Sequence, residues 1–227
     1  MSQDESIASS LAMIRQRVAK AVATRGEGKE VRLVAVSKTK PVADLMEAYV
    51  EGQRHFGENI QELVDKAAEM PEDICWHFIG TLQSNKCKLL APVRNLWAVE
   101  TIDSSKKADT MNRCWPGDRE PLRVFVQVNT SGESSKSGVE PAGCLEVVKH
   151  ITSACKNLTV HGLMTIGSAD NTGEQENPDF KEADAKLNLD LELSMGMSGD
   201  FETAILAGAT NVRVGSSIFG ARNYQKA

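Results

Sequence analysis

Eight short apolar segments recur along the chain, at residues 31–36, 54–56, 75–79, 96–99, 122–128, 158–166, 191–195 and 211–214. Stretches with helical patterning fall between them, at 41–51, 60–69, 83–90, 104–114, 140–155, 180–187 and 200–206. Strands that alternate with helices pair in parallel, since each helical crossover returns the chain to the same edge of the sheet. A parallel sheet needs cover on both faces, and the segment 31–36, VRLVAV, is apolar apart from Arg32. A doubly wound open sheet also explains alternation, but eight repeats within 227 residues is the count that closes a barrel. The expected architecture is therefore α/β, a single (β/α)8 TIM barrel domain over residues 1–227.

One more helix stands in front of the barrel. Between residues 6 and 23, Ile7, Leu11, Ile14, Val18 and Val22 recur every three or four positions, which gives one buried stripe. Gly26 and Gly28 end it, as Gly52 and Gly208 end later helices. Residues 129–138 are a Ser/Gly-rich loop, and 170–178 an acidic one poor in apolar residues. The connections are short, and no Pro/Gly-rich linker divides the chain.

Composition narrows the function classes. A hydrophobic content of 41% and a charged content of 25% are ordinary for a globular protein. A formal charge of −5, with no concentrated Lys/Arg segment, leaves no electrostatic footprint for nucleic acid. The longest apolar runs are strand-length, so no membrane partner is expected, and the polar N-terminus has no signal-peptide core. A cytoplasmic location is the default expectation. The five cysteines form no CxxC pair, which indicates reduced packing residues rather than disulfides or a zinc site.

Barrel enzymes carry their chemistry at the carboxyl ends of the strands. Here those positions hold Lys38, Asn59, Gly80 with Gln83, Asn129, Met164-Thr165, Ser198-Gly199, and Arg213 with Gly215-Ser216. They supply one amine, one guanidinium, several amides and small residues. Carboxylates are scarce, with Glu58 the main candidate, and no metal-ligand cluster is visible on the rim. An ammonium backed by an apolar strand tends toward a lowered pKa, which suits a Schiff-base lysine at Lys38.

The last two strands add a second clue. The loops Gly196-Met197-Ser198-Gly199 and Gly215-Ser216-Ser217 offer backbone N–H groups without side-chain bulk, where barrels commonly bind phosphate. A lysine, a phosphate cradle and an arginine between them suit pyridoxal phosphate. An arginine facing the pyridine nitrogen keeps that nitrogen unprotonated and weakens the ring as an electron sink. A Schiff-base aldolase without cofactor is the competing reading, though no acid/base pair stands near Lys38.

The segments AVSKTKP (35–41), HFGEN (55–59), WHFIGTLQSNK (76–86), VNTSGESSKSG (128–138), GLMTIG (162–167), LSMGMSGDFETAI (193–205) and NVRVGSSIFGAR (211–222) resemble the pyridoxal phosphate homeostasis proteins. These are single-domain relatives of the alanine racemase barrel, and the likeness runs from about residue 31 to 222. The resemblance implies a fold-type III barrel with pyridoxal 5′-phosphate on Lys38. It implies that Arg213 faces the pyridine nitrogen and that Ser198, Gly199, Gly215 and Ser216 hold the phosphate, with Asn59, Met164 and Thr165 near the ring. The chain departs from the family where Asn59-Ile60-Gln61-Glu62 runs one residue shorter. Ser216 stands where the family often has Thr.

A racemase needs a second base, a tyrosine from another domain. This chain ends soon after the barrel, and its only tyrosines, Tyr49 and Tyr224, lie in no catalytic motif. The family resemblance thus implies a monomeric carrier or buffer of the vitamin B6 cofactor, with apo forms of pyridoxal phosphate enzymes as candidate recipients. A weak amino-acid racemase is the alternative. His55, His77, His150 and His161 read as packed or hydrogen-bonded residues, Trp76 and Trp97 as barrel packing, and Lys86 and Lys88 as solvated charge. Lys136 is the one loop lysine with a chance of reaching the mouth.

Overall fold

The computed structural model describes residues 6–131, 133, 136–167 and 190–221. The expected loop at 170–178, the expected helix at 180–187 and Tyr224 lie outside the described residues.

Parallel strands β1 (Arg32–Val36), β2 (His55–Glu58), β3 (Cys75–Phe78), β4 (Leu96–Ile102), β5 (Leu122–Gln127), β6 (Leu158–Met164), β7 (Glu192–Ser194) and β8 (Asn211–Val214) pair in sequence order. β1 and β8 close the ring through four register pairs, from Arg32↔Asn211 to Ala35↔Val214. β7 meets β8 through the single pair Ser194↔Asn211. This is the (β/α)8 barrel that the alternation of elements implies.

Among the described residues the helices are α1 (Ile7–Arg25), α2 (Val42–Val50), α3 (Ile60–Glu69), α4 (Cys87–Leu90), α5 (Ser105–Cys114), α6 (Pro141–Ala154), α7 (Phe201–Leu206) and α8 (Ser216–Phe219). Side-chain caps open α1 and α5, where Ser6 and Ser104 accept N–H groups three residues on. The extra helix α1 buries Leu11, Ile14 and Val18 and packs against α2, α7 and α8. Fully buried Phe56, Trp76 and Phe78 join it in one large core. No helix among the described residues is long and apolar enough to cross a membrane.

Several boundaries differ from the sequence reading for physical reasons. The second strand, expected at 54–56, runs on through Gly57 and Glu58. A Cβ on Gly57 would sit 2.8 Å from Ile79 Cδ1 and 3.0 Å from Val34 Cγ1, so close packing, not a turn, selects glycine there. The fourth strand continues past Val99 to Ile102, with Glu100 and Thr101 buried inside it. The helix expected at 83–90 divides into a 3₁₀ turn, Ser84–Lys86, and α4. Gly215 opens a helix of its own, the short α8. All five cysteines are free thiols, as expected.

β4 pairs only with β3 and β5, so its side-chain bonds to other strands must cross the barrel interior. Glu100 makes two such bonds. Its Oε2 accepts from Ser194 Oγ at 2.6 Å and its Oε1 from Asn211 Nδ2 at 3.1 Å. A charged, hydrogen-bonded layer therefore fills the barrel beneath its mouth.

Candidate functional site

A cavity of about 490 Å³ opens at the carboxyl ends of the strands. Seven residues singled out in the sequence line it: Lys38, Met164, Ser198, Gly199, Arg213, Gly215 and Ser216. Lys38 and Arg213, from opposite ends of the chain, meet because β1 and β8 are neighbours in the closed ring.

Lys38 follows β1 after Ser37, with its Nζ 3.4 Å from the Ile79 carbonyl oxygen. The turn that carries it is built from buried polar groups. Ser37 Oγ donates to Glu58 Oε1 at 2.8 Å, and Lys66 Nζ donates to the same oxygen at 2.5 Å and to the Ser37 carbonyl at 2.9 Å. Burial raises the Glu58 carboxyl above its usual value, against the pull of Lys66 and Ser37. Glu58, the main rim carboxylate candidate in the sequence, is thus fully buried and engaged with its neighbours rather than free for acid/base work.

Arg213, on the neighbouring strand β8, lines the cavity and is almost wholly buried. One of its terminal nitrogens donates to Ser194 Oγ at 2.5 Å and the other to the Thr165 carbonyl at 2.8 Å. Burial lowers the Arg213 pKa, while the charges of Glu100 and Asp200 support the cation. Burial alone would raise Glu100, but His77, Arg213 and Ser194 outweigh it and hold the carboxyl below its usual range. His77, fully buried, is lowered by burial against the opposing influence of Glu100, its hydrogen-bond partner at 2.6 Å. Neutral His77 beside ionised Glu100 is the consistent state.

The loops after β7 and β8 meet as the sequence suggested. Ser198 Oγ accepts the N–H of Gly215 at 3.2 Å and of Ser217 at 3.5 Å, which ties one loop to the other. Among the described residues, no protein acceptor takes the N–H groups of Ser198, Gly199 and Ser216. A Cβ at Gly199 would meet nothing within 4 Å, so that backbone faces open space. Unpaired N–H groups beside an amine and a guanidinium form a set of donors matched to an oxyanion.

Two expected site residues stand beside the lining. Asn59 precedes α3, its N–H bonded to Glu58 Oε2 and its Oδ1 close to Gly80. Thr165 receives Arg213 through its carbonyl, while its hydroxyl pairs with Thr130 and accepts the Gly167 N–H. Lys136 Nζ donates to Glu133 and to the Gly167 carbonyl and does not line the cavity. Tyr49 donates to Asp73 Oδ1 at 2.8 Å, away from the lining.

Sequence reasoning missed Lys40, Ile79 and Ile166 in the lining, and Glu100 and Ser194 beneath it. The strand-end rule looks only at the first residues past a strand, whereas Lys40 sits further along its loop. The four histidines are packed or bonded as expected. His55 meets His77 at 2.9 Å, and His161 meets Glu192. Among the described residues one group, Asp109, His150 and Cys155, brings ligand-type atoms within 4.8 Å. His150 Nε2 lies 2.7 Å from Asp109, an ion-pair geometry linking α5 to α6 outside the cavity lining.

Comparison with known proteins agrees with the barrel fold. The family profile described as alanine racemase, N-terminal domain, matches residues 9–223. The pyridoxal phosphate homeostasis protein of Schizosaccharomyces pombe is 48% identical, with 97% of this chain and 94% of that protein covered. The human protein of the same name is 46% identical over all of this chain and 90% of its own length. The solved structure of PipY from Synechococcus elongatus with pyridoxal phosphate bound superposes with a TM-score of 0.79 at 33% identity. That match covers 94% of this chain and all of PipY.

Proposed function

The chain belongs to the alanine racemase N-terminal domain family, among the pyridoxal phosphate homeostasis proteins, and on that footing we propose that it binds and buffers pyridoxal 5′-phosphate. The observation that carries the reading is the meeting of Lys38, Arg213 and the two N–H-rich loops in one cavity. The fit is chemical: an amine for an aldehyde, a buried cation for an unprotonated ring nitrogen, and backbone donors for a phosphate.

In this reading Lys38 holds the cofactor covalently, exchanging the aldehyde oxygen for its own nitrogen with loss of one water. Ser198, Gly199, Gly215 and Ser216 hold the phosphate, and Arg213 faces the ring nitrogen. Asn59, Met164 and Thr165 set the boundary near the ring. When bound, the cofactor supplies an electrophilic carbon and a conjugated ring that can take up electrons. Arg213, paired through Ser194 to Glu100, keeps its proton and so limits that uptake.

Carriage rather than turnover is favoured because, among the described residues, no His, Asp, Glu or Tyr lines the cavity. Glu58 is bound to Lys66, and Tyr49 to Asp73. We read the protein as one monomeric, cytoplasmic barrel domain over residues 1–227 that passes cofactor to apo-enzymes.

The test is the visible absorption of the purified protein and of Lys38→Ala, before and after borohydride. A yellow wild type, bleached with the cofactor left on Lys38, supports the reading. A wild type that stays colourless with added pyridoxal phosphate overturns it. Exchange of an amino acid's α-proton for deuterium at a catalytic rate would replace the carrier with an enzyme.

A further inference from the structure

Thr39 is the one non-glycine residue with positive φ, +65°, among the described residues. A β-branched residue rarely adopts that left-handed conformation, so something outside the turn must hold it. The holding group is Glu62, in the first turn of α3. Its Oε2 accepts the Thr39 N–H at 2.6 Å and the Lys66 ammonium at 2.9 Å.

The peptide on the other side of Lys38 is held from the same helix. The Ser37 carbonyl accepts Lys66 Nζ at 2.9 Å and the Lys40 N–H at 3.1 Å. Lys66 is buried and anchored to Glu58 at 2.5 Å. Both peptide groups flanking Lys38 are therefore gripped by α3, one by an anion and one by a cation, and the two grips are an ion pair. The outer member, Glu62, is partly exposed, with 31% of its side chain accessible, whereas Lys66 and Glu58 are sealed.

We propose that Glu62 is a positioning residue that fixes the strained Lys38-Thr39 turn and thereby aims the Lys38 amine into the cavity. The proposal rests on Lys38 being the cofactor-bearing lysine. Without the carboxylate, Thr39 relaxes to an ordinary backbone conformation and the amine loses its direction.

Two measurements test it. The first is the rate at which pyridoxal phosphate attaches to Lys38 in the apo-protein, followed by absorbance. Glu62→Ala slows attachment by about tenfold or more, as expected for a misaimed nucleophile. Glu62→Gln, which keeps an oxygen for the Thr39 N–H, stays near wild type. Thr39→Gly, free to adopt positive φ, restores the rate in the Glu62→Ala background.

The second measurement needs no cofactor. Lysines are reductively methylated with ¹³C-formaldehyde, and the Lys38 resonance is assigned by its loss in Lys38→Arg. In Glu62→Ala that resonance moves toward the position of free methyl-lysine, and Thr39→Gly moves it back. An unchanged rate or an unchanged resonance in Glu62→Ala overturns the proposal. So does a loss that Thr39→Gly fails to rescue, since it would belong to α3's general stability. A wild type that takes up no cofactor overturns the binding reading instead, and the resonance still judges the clamp.

Discussion

Arg213 and Glu100 are joined through one hydroxyl: Ser194 Oγ accepts from the arginine at 2.5 Å and donates to the carboxylate at 2.6 Å. Asn211 donates to the same hydroxyl at 2.9 Å, so each hydrogen-bonding valence of Ser194 is used. The cation facing the cavity is thereby balanced by an anion deeper in the barrel, with no carboxylate in the cavity lining among the described residues.

Removing that hydroxyl separates the pair. Ser194→Ala leaves a buried guanidinium nitrogen and a buried carboxylate oxygen each short of a partner. The expected loss is about 1–3 kcal/mol of stability together with weaker pyridoxal phosphate binding. Urea denaturation and equilibrium dialysis measure the two effects, and unchanged values in both would refute the link.

Lys66 is a harder loss. Lys66→Met leaves Glu58 buried beside Ser37 with no cation, at an expected cost of about 3–5 kcal/mol. Glu58→Leu combined with Lys66→Met removes the uncompensated charge and recovers most of that stability. A double variant no more stable than the single one, by calorimetry, contradicts this.

Gly162 marks a place where the sheet admits no side chain. A Cβ there would lie 2.2 Å from the Glu192 carbonyl and 2.7 Å from the Phe125 ring. Gly162→Ala therefore forces β6 away from β7, costing about 1–3 kcal/mol or more. A melting temperature that does not move from wild type would show that the strands have room to shift.

The histidines predict a pH slope. Burial lowers His55 from 6.5 to about 3, with His77 and Arg32 adding repulsion, so it stays neutral in the folded chain at mildly acidic pH. The unfolded chain binds that proton below its ordinary pKa. Stability contributed by neutral His55 is thus present above about pH 6.5 and lost as the pH falls toward 3, at about 1.4 kcal/mol per pH unit. His77, lowered in the same direction, adds to that slope. Unfolding free energies measured between neutral and mildly acidic pH give a shallower slope for His55→Gln, and an equal slope would show that His55 is charged in the fold.

The sequence carried most of the barrel because alternation is local: each strand and its crossover helix announce themselves within a few residues. Gly57 misled the reading of β2, since a glycine chosen for contact with Ile79 and Val34 looks like a turn glycine in one dimension. The mouth was legible where a site residue closely follows its strand, as at Lys38 and Gly215. It was not legible in depth. Glu100 reads as a polar residue beyond the end of an apolar strand, and only closure of the ring brings it to Ser194 and Asn211. Glu62 looks like any solvated carboxylate in a helix's first turn, and its partner Thr39 is 23 residues away.

The neighbouring positions of β1 and β8 also order events during synthesis. The lysine that would capture a reactive aldehyde emerges from the ribosome early, while Arg213, Gly215 and Ser216 emerge among the last residues of the barrel. A nascent chain therefore carries the amine long before it carries the groups that complete the cavity. Until β8 has been made, Lys38 stands without the guanidinium and the backbone donors that line the cavity with it.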